Sequence, residues 1–259
     1  MAEPRISVVI PTFQRPSTCA AAVASALAQT LAPLEVLVCD DGSSGETRER
    51  FSEWERDDER VRYLALPHAG RPAPARNAGL RAARGDWVAF LDDDDRWRPE
   101  KLAIQAPHLA LDRVVATNAW RSSGATYFPD LAAPREPTRT ELLRVNPIVL
   151  STAVAARSPL IAAGGFPEAA WARGVEDYAV WLRMADRGAR FLVLPDTTVD
   201  YEDHPGTRLS NAVSAQEAAV ARLAWRHWGR RPLDTGRLRA AASHSVAAAR
   251  VRRGARRTG

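Results

Sequence analysis

The sequence predicts an α/β fold: a mostly parallel sheet flanked by helices on both faces, followed by C-terminal helices. Short apolar, β-branched runs alternate with helical segments over residues 5–99. The strand-like runs are continuously apolar, as in strands buried on both faces, where a half-solvated sheet would show alternation. Three of the first four end in distinctive polar or turn residues, as expected where ligands bind beyond the carboxyl edge of a parallel sheet.

The elements follow in order. Residues 5–10 form the first strand, which Pro11-Thr12-Phe13 stops. Residues 17–30 read as a helix with Ser17 or Thr18 as its cap. Residues 34–39 form a second strand ending in Asp40-Asp41-Gly42-Ser43-Ser44, a polar turn cluster. A charged helix covers 46–57 and a third strand 61–66. The Gly/Pro-rich stretch 68–74 leads into a helix over 75–84 that Gly85 ends. A fourth strand, 86–91, runs into Asp92-Asp93-Asp94-Asp95, and a helix starts near Pro99, a favoured first-turn residue.

The second half is less regular. Residues 114–120, 126–128, 151–155, 191–194 and 199–201 read as strands. Residues 138–144 and 159–163 read as short helical pieces, and 175–187 as a helix with Val180, Trp181 and Met184 on one face. Gly164-Gly165 marks a break. Helices are expected over 211–229 and 234–253. Without repeats or a low-complexity linker, the pattern predicts one domain over 1–205, with halves at 1–98 and 99–205, and a helical basic tail over 206–259.

Composition narrows the class. Apolar residues make up 46% and charged residues 26%, the balance of an ordinary globular protein. No apolar run approaches the ~18–20 residues of a membrane-spanning helix. The first residues carry no signal-peptide pattern, so a cytoplasmic location is expected. Cys19 and Cys39 have neither metal-ligand nor disulfide-framework spacing and are expected in the core. The net charge of +5 is uneven, because residues 230–259 hold nine Arg and one Asp. That tail predicts at most peripheral contact with an anionic membrane surface. Its apolar residues are too small for insertion, and no aromatic residues interleave with its arginines, which argues against nucleic acid.

Four adjacent carboxylates repel one another unless they are solvated or bound to a cation. A random acidic run is usually a solvated loop. Here the run follows the buried segment Trp-Val-Ala-Phe-Leu and sits at the sheet's carboxyl edge, where hard oxygen ligands suit Mg²⁺ or Mn²⁺ bridging to phosphate oxygens.

Four segments then carry a resemblance: Val8-Val9-Ile10-Pro11-Thr12-Phe13-Gln14-Arg15, Val38-Cys39-Asp40-Asp41-Gly42-Ser43, Ala75-Arg76-Asn77-Ala78-Gly79 and Phe90-Leu91-Asp92-Asp93-Asp94-Asp95. In this order and at these separations they resemble family 2 glycosyltransferases of the GT-A, Rossmann-like fold, with the last segment as the DXD motif. Beyond residue 98 the resemblance thins to Gly174-Val175-Glu176-Asp177. It implies a nucleotide-sugar-binding half (1–98), an acceptor half (99–205), and an inverting enzyme using a nucleoside-diphosphate sugar, uridine being the expected base.

The resemblance also implies roles. Pro11, Thr12 and Phe13 would line base and ribose. Asp41 would accept from the base edge, and Arg76 would approach the diphosphate. Asp93 would contact ribose or assist the metal, Asp94 would be the principal metal ligand, and Asp92 the outer member of the motif. Asp177 would be the general base, and His204 would approach the metal or diphosphate. Trp171 would stack on sugar beside a closing Gly164-Gly165 segment. Each has a blander alternative: a turn carboxylate for Asp41, a solvated helix-start cation for Arg76, first-turn acids favouring the helix dipole for Glu176 and Asp177, a core anchor for Trp171, a structural turn for His204. A sugar nucleotidyltransferase would call for a Gly-rich basic loop after the first strand, which Pro11 to Arg15 is not. A non-catalytic nucleotide-sugar module would keep Asp41 and Asp94 without needing Asp177. The acceptor stays open among lipid-linked sugar, glycan, natural product and peptide.

Overall fold

The structure is a computed structural model that describes residues 3–202. The expected helices over 211–229 and 234–253, the basic tail and His204 lie outside the described residues.

The chain runs β1 (Ile6–Thr12), α1 (Pro16–Leu27), β2 (Glu35–Asp40), α2 (Glu46–Asp57), β3 (Val61–Ala65), α3 (Pro72–Ala82) and β4 (Trp87–Phe90). It continues with β5 (Arg96–Trp97), α4 (Lys101–Gln105), β6 (Arg113–Arg121), α5 (Arg139–Leu142), β7 (Val154–Ala156), α6 (Arg157–Ala162), α7 (Glu176–Ala185) and β8 (Arg190–Tyr201). One sheet holds all the strands in the order β3-β2-β1-β4-β7-β6-β8-β5. Pairing is parallel for β3-β2, β2-β1, β1-β4 and β6-β8, and antiparallel where β7 and β5 join. The mostly parallel expectation holds, and every antiparallel pair involves one of the two short strands β7 and β5.

Alternate side chains of the central strands feed two cores. Val9, Leu37, Val88 and Phe90 face α3, α6 and α7. Val8, Ile10, Val36, Val38 and Ala89 face α1, α2 and α4. Because both faces are covered, these strands need apolar residues at every position, which is why they read as continuous runs. Cys19 and Cys39 are buried free thiols, one in each core, and burial pushes Cys39 up to about 12. Gly79 lets α3 close on the sheet: a Cβ there would lie 2.5 Å from Val9 Cγ1 and 2.7 Å from Cys39 Sγ.

Several local expectations are corrected. The helix α1 starts at Pro16, with Arg15 rather than Ser17 or Thr18 at its cap and no side-chain cap bond. The fixed φ of Pro16 starts the helix without one. Helix α3 likewise begins at Pro72, earlier than expected. Residues 191–194 and 199–201 belong to one strand, β8, whose pairing with β6 passes a bulge that interrupts the apolar pattern. Residues 126–128 form only an isolated bridge through Thr126 to Trp120. The 151–155 segment opens as a 3-10 turn, Leu150–Thr152, before β7.

Candidate functional site

The strand ends build a crevice at the carboxyl edge. Thr12 ends β1; its carbonyl accepts from Asp41 N at 2.9 Å, and its hydroxyl donates to Asp93 Oδ2 at 2.7 Å. One residue therefore ties the ends of β1, β2 and β4 together. Pro11 is buried within β1 rather than lining an open wall. Thr12 turns its carbonyl toward β2, so Pro11 points toward β4, whose pairing with β1 has already stopped at Val9. Its missing N–H breaks no ladder bond there. Phe13 follows at 41% exposure and stacks on His68, ring centroids 4.3 Å apart and 27° from parallel. This pair offers an aromatic face at the crevice mouth.

The two carboxylates at the end of β2 divide their work. Asp40 holds the turn, accepting from Ser43 N at 3.0 Å, Ser43 Oγ at 2.6 Å and Tyr63 OH at 2.7 Å. Asp41 accepts from Ala69 N at 2.7 Å and Gly70 N at 2.8 Å, which fixes its carboxylate against the 68–70 loop. His68 Nδ1 lies 3.2 Å from Oδ2, the oxygen that Gly70 N meets, so the second lone-pair position of Oδ1 is the one left for a ligand donor. Gly42 makes the turn possible: its φ is +85°, and a Cβ would lie 2.8 Å from His68 N.

The acidic run is differentiated by its neighbours. Asp95 is 1% exposed and accepts from Ser151 Oγ and, at 2.9 Å, from Glu202 N. It anchors the loop to the second half. Asp93 is held by Thr12 and, at 3.3 Å, by Arg15; burial lifts its carboxyl to about 6. Asp92 and Asp94 have the most exposed side chains of the four, at 29% and 25%. Arg15 also donates to Asp94 Oδ2 at 3.1 Å. Burial, and then the Asp92 charge, raise Asp94 above its ordinary value.

Arg76 reaches this loop from α3. Its Nη2 donates to Asp92 Oδ1 at 2.6 Å and its Nη1 to Glu176 Oε1 at 3.3 Å. Arg76 and Glu176 are both buried, and Arg76 Nε and Glu176 Oε2 have no protein partner. The bland alternative of a solvated helix-start cation is thus excluded for Arg76. Next to Glu176, Asp177 is half-buried and accepts from Asn146 Nδ2 at 2.9 Å. Burial, and then the Glu176 charge, raise Asp177 to about 6.

Other expectations fall differently. Trp171 is half-buried and packs against the core beneath α7. The Gly164-Gly165 break is pinned: Asn77 Nδ2 donates to the Phe166 carbonyl at 2.8 Å, and Phe166 N donates to Asn77 Oδ1 at 2.9 Å. Sequence reasoning gave no role to Arg15, Asn146 or Ser151. Arg15 shares the strand-end turn with Thr12, which was the available signal. Asn146 and Ser151 come from the irregular second half and gave none.

Among the described residues, no three His, Cys, Asp or Glu side chains converge into a ready-made metal cage. The donor set nevertheless fits a hard divalent cation of the Mg²⁺ type. Such ions are commonly held by one or two carboxylates plus substrate phosphates. Asp92 and Asp94 offer those carboxylates, and a cation would relieve the repulsion that raises Asp94.

This sheet order, with an acidic loop beyond the end of β4, is that of a GT-A fold. The chain belongs to glycosyl transferase family 2, whose model matches residues 7–156. It is 34% identical over 181 residues, covering 69% of each chain, to the Escherichia coli UDP-Glc:alpha-D-GlcNAc-diphosphoundecaprenol beta-1,3-glucosyltransferase WfgD. It is 29% identical, over 80% of each chain, to WfaP of the same species, which carries the same activity in its name. The structure is similar to Staphylococcus aureus TarS 1-349 in complex with UDP-GlcNAc, with a TM-score of 0.70 and 22% identity, covering 89% of this chain and 68% of that one. It also resembles the Pyrobaculum calidifontis mannosyltransferase PcManGT in complex with GDP-Man and Mn²⁺, with a TM-score of 0.69 and 19% identity, covering 96% of this chain and 76% of that one. Among the described residues no helix is long and apolar enough to cross a membrane.

Proposed function

We propose that this glycosyltransferase moves a sugar from a nucleoside diphosphate, with UDP-glucose the favoured donor, to a hydroxyl of a lipid-linked diphosphate sugar, inverting the anomeric centre. The observation that carries the proposal is the Arg76 bridge: one buried guanidinium joins Asp92, on the donor-side loop, to Glu176, the neighbour of Asp177. Donor and acceptor are the substrates named for the two Escherichia coli relatives.

In this reading Asp41 accepts from the base edge, the Phe13–His68 pair stacks beside it, and Thr12 and Asp93 meet the ribose. Arg76 balances the diphosphate charge. Asp94 and Asp92 would hold a divalent cation, which would supply positive charge against the leaving diphosphate. Asp177, at about 6, is ionised at neutral pH and still basic enough to take a proton. It removes the acceptor hydroxyl proton as that oxygen bonds to the anomeric carbon. The C–O bond to the diphosphate breaks on the opposite face, and its electron pair leaves with the nucleoside diphosphate. The transition state is oxocarbenium-like, by analogy with glycoside hydrolysis. Peripheral membrane contact through the basic tail would bring the enzyme to such an acceptor.

The test is a thermal-shift panel of nucleotide sugars with Mg²⁺ and Mn²⁺, followed by transfer from the best binder to N-acetylglucosaminyl diphosphate on a short prenyl chain. Ligand that binds only the native state raises its stability by mass action. A metal-dependent shift with UDP-glucose and turnover to a β-linked product support the reading. No shift with any nucleotide sugar overturns it.

A further inference from the structure

Arg15 reaches the donor crevice from the turn between β1 and α1. Its Nη1 lies 3.3 Å from Asp93 Oδ1 and 3.1 Å from Asp94 Oδ2, so one nitrogen spans two neighbouring carboxylates. The turn is built to hold it there. Gln14, just before it, has φ +53° and among the described residues is the one non-glycine in the left-handed region. Ser43 Oγ accepts from Gln14 N at 2.8 Å and Ser44 Oγ from Gln14 Nε2 at 3.3 Å, which fixes that conformation. Pro16, just after Arg15, opens α1. Strained backbone of this kind persists only where the surrounding structure overrides its cost, and it concentrates at ligand sites.

The acidic loop does not need Arg15 to keep its shape. Thr12 donates to Asp93 at 2.7 Å, Arg76 to Asp92 at 2.6 Å, and Ser151 and Glu202 N hold Asp95. The Arg76 side chain is enclosed at 7% exposure, whereas that of Arg15 is 43% exposed. An ion pair open to water in this way adds little to stability. Its effect is on charge. Asp92, Asp93 and Asp94 share two guanidiniums, and one of these, Arg76, also serves Glu176. The loop therefore stays anionic with Arg15 present and becomes more so without it. A loop lacking Arg15 would bind a divalent cation more tightly, and an anion carried on that cation less tightly. The anion that suits a guanidinium is phosphate, whose oxygens match the planar fork as a carboxylate's do. A phosphate oxygen on a cation held by Asp94 would lie within reach of a side chain already 3.1 Å from that carboxylate.

We propose that Arg15 grips the diphosphate of the donor, exchanging Asp94 for phosphate oxygens when that carboxylate takes the cation. The proposal rests on Asp94 being the cation ligand. Arg15→Gln and Arg15→Lys are made in the full chain and should melt within about 2 °C of wild type, as for an exposed pair. The first readout is Mn²⁺ alone, by electron paramagnetic resonance. Arg15→Gln should bind it about threefold more tightly or better, because a charge that repels it is gone. The second is UDP at saturating Mn²⁺, by isothermal titration calorimetry. Arg15→Gln should bind UDP about tenfold more weakly or worse. Arg15→Lys keeps the charge and loses the fork, so it should match wild type on Mn²⁺ and fall between the two on UDP. A residue that only shaped the loop would weaken both affinities, so their opposite movement is the signature. UDP affinity within about threefold of wild type in folded Arg15→Gln overturns the proposal, as does loss of Mn²⁺ and UDP binding together. Wild type that binds UDP equally with and without Mn²⁺ sinks the cation assignment instead, and Arg15 is then judged by the UDP loss alone. Wild type that binds GDP and not UDP counts against the uridine donor, and the same comparison made with GDP decides Arg15.

Discussion

Arg76 donates to Glu176 across 3.3 Å in a buried contact between residues a hundred positions apart. The same guanidinium holds Asp92, so it carries two carboxylates that would otherwise repel. Breaking a buried pair leaves an uncompensated charge, a loss of about 3–5 kcal/mol. Arg76→Ala should therefore lower Tm by roughly 6–20 °C, at 2–4 °C per kcal/mol for a chain of this size. Arg76→Ala/Glu176→Gln should recover part of that loss, because the orphaned acid becomes neutral. Thermal melts of the single and double variants check this; additive losses would show that the two residues are not coupled.

The four adjacent carboxylates should separate into two classes. Asp95 is an anchor between Ser151 and Glu202, whereas Asp94 faces the crevice. Asp95→Asn should lower Tm yet keep Mn²⁺ binding in the presence of UDP, measured by electron paramagnetic resonance. Asp94→Asn should hold or raise Tm, because it removes a carboxylate repelled by Asp92, and should weaken Mn²⁺ binding at least tenfold. The reverse pattern would make Asp95 the ligand.

This division shows where sequence reading stops. The strands β1 to β4 were legible because strands buried on both faces demand unbroken apolar runs, and their order placed Thr12, Asp41 and the acidic run on one edge. The run itself could not be resolved, since four identical side chains carry no mark of which one Ser151 would take. Asn146 and Ser151 come from loop and 3-10 segments whose path depends on long-range packing. The β8 strand was split in two because its bulge breaks the pattern that announces a strand. Asp177 stood out in the sequence only through resemblance, and nothing in the sequence pairs it with Asn146, which the fold brings to it.

As the proposed base, Asp177 should link activity and stability in opposite directions. Its folded value of about 6 lies above the ordinary one, so the native state binds the extra proton between about pH 4 and 6. Stability is thus fully present in acid and declines as pH rises through 6. Asp177→Asn should remove that loss, making the protein at pH 8 more stable by roughly 1–2 kcal/mol after screening at a half-buried site. At pH 4 the gain should vanish. Transfer should fall by about 10²–10⁴, the range for losing a general base. Denaturant melts at both pH values, with product formation by the same samples, check the pair. Unchanged turnover would remove Asp177 from the chemistry.

The hydrogen bond from Asn146 should set the acid limb of the rate profile. A base that works ionised gives kcat/KM rising with pH and levelling above its own value, here about 6. Asn146 donates to the Asp177 carboxylate, which favours the charged form. Removing it in Asn146→Ala should shift the limb to higher pH, so that the variant is most impaired near pH 6 and recovers toward pH 8. Asn146→Gln, which can still donate, should lie between the two. A residue that merely supported the fold would lower the whole profile without moving its limb. A limb that stays in place in a folded Asn146→Ala enzyme would therefore assign Asn146 to packing of the 145–148 segment and leave Arg76 to hold Asp177 ionised.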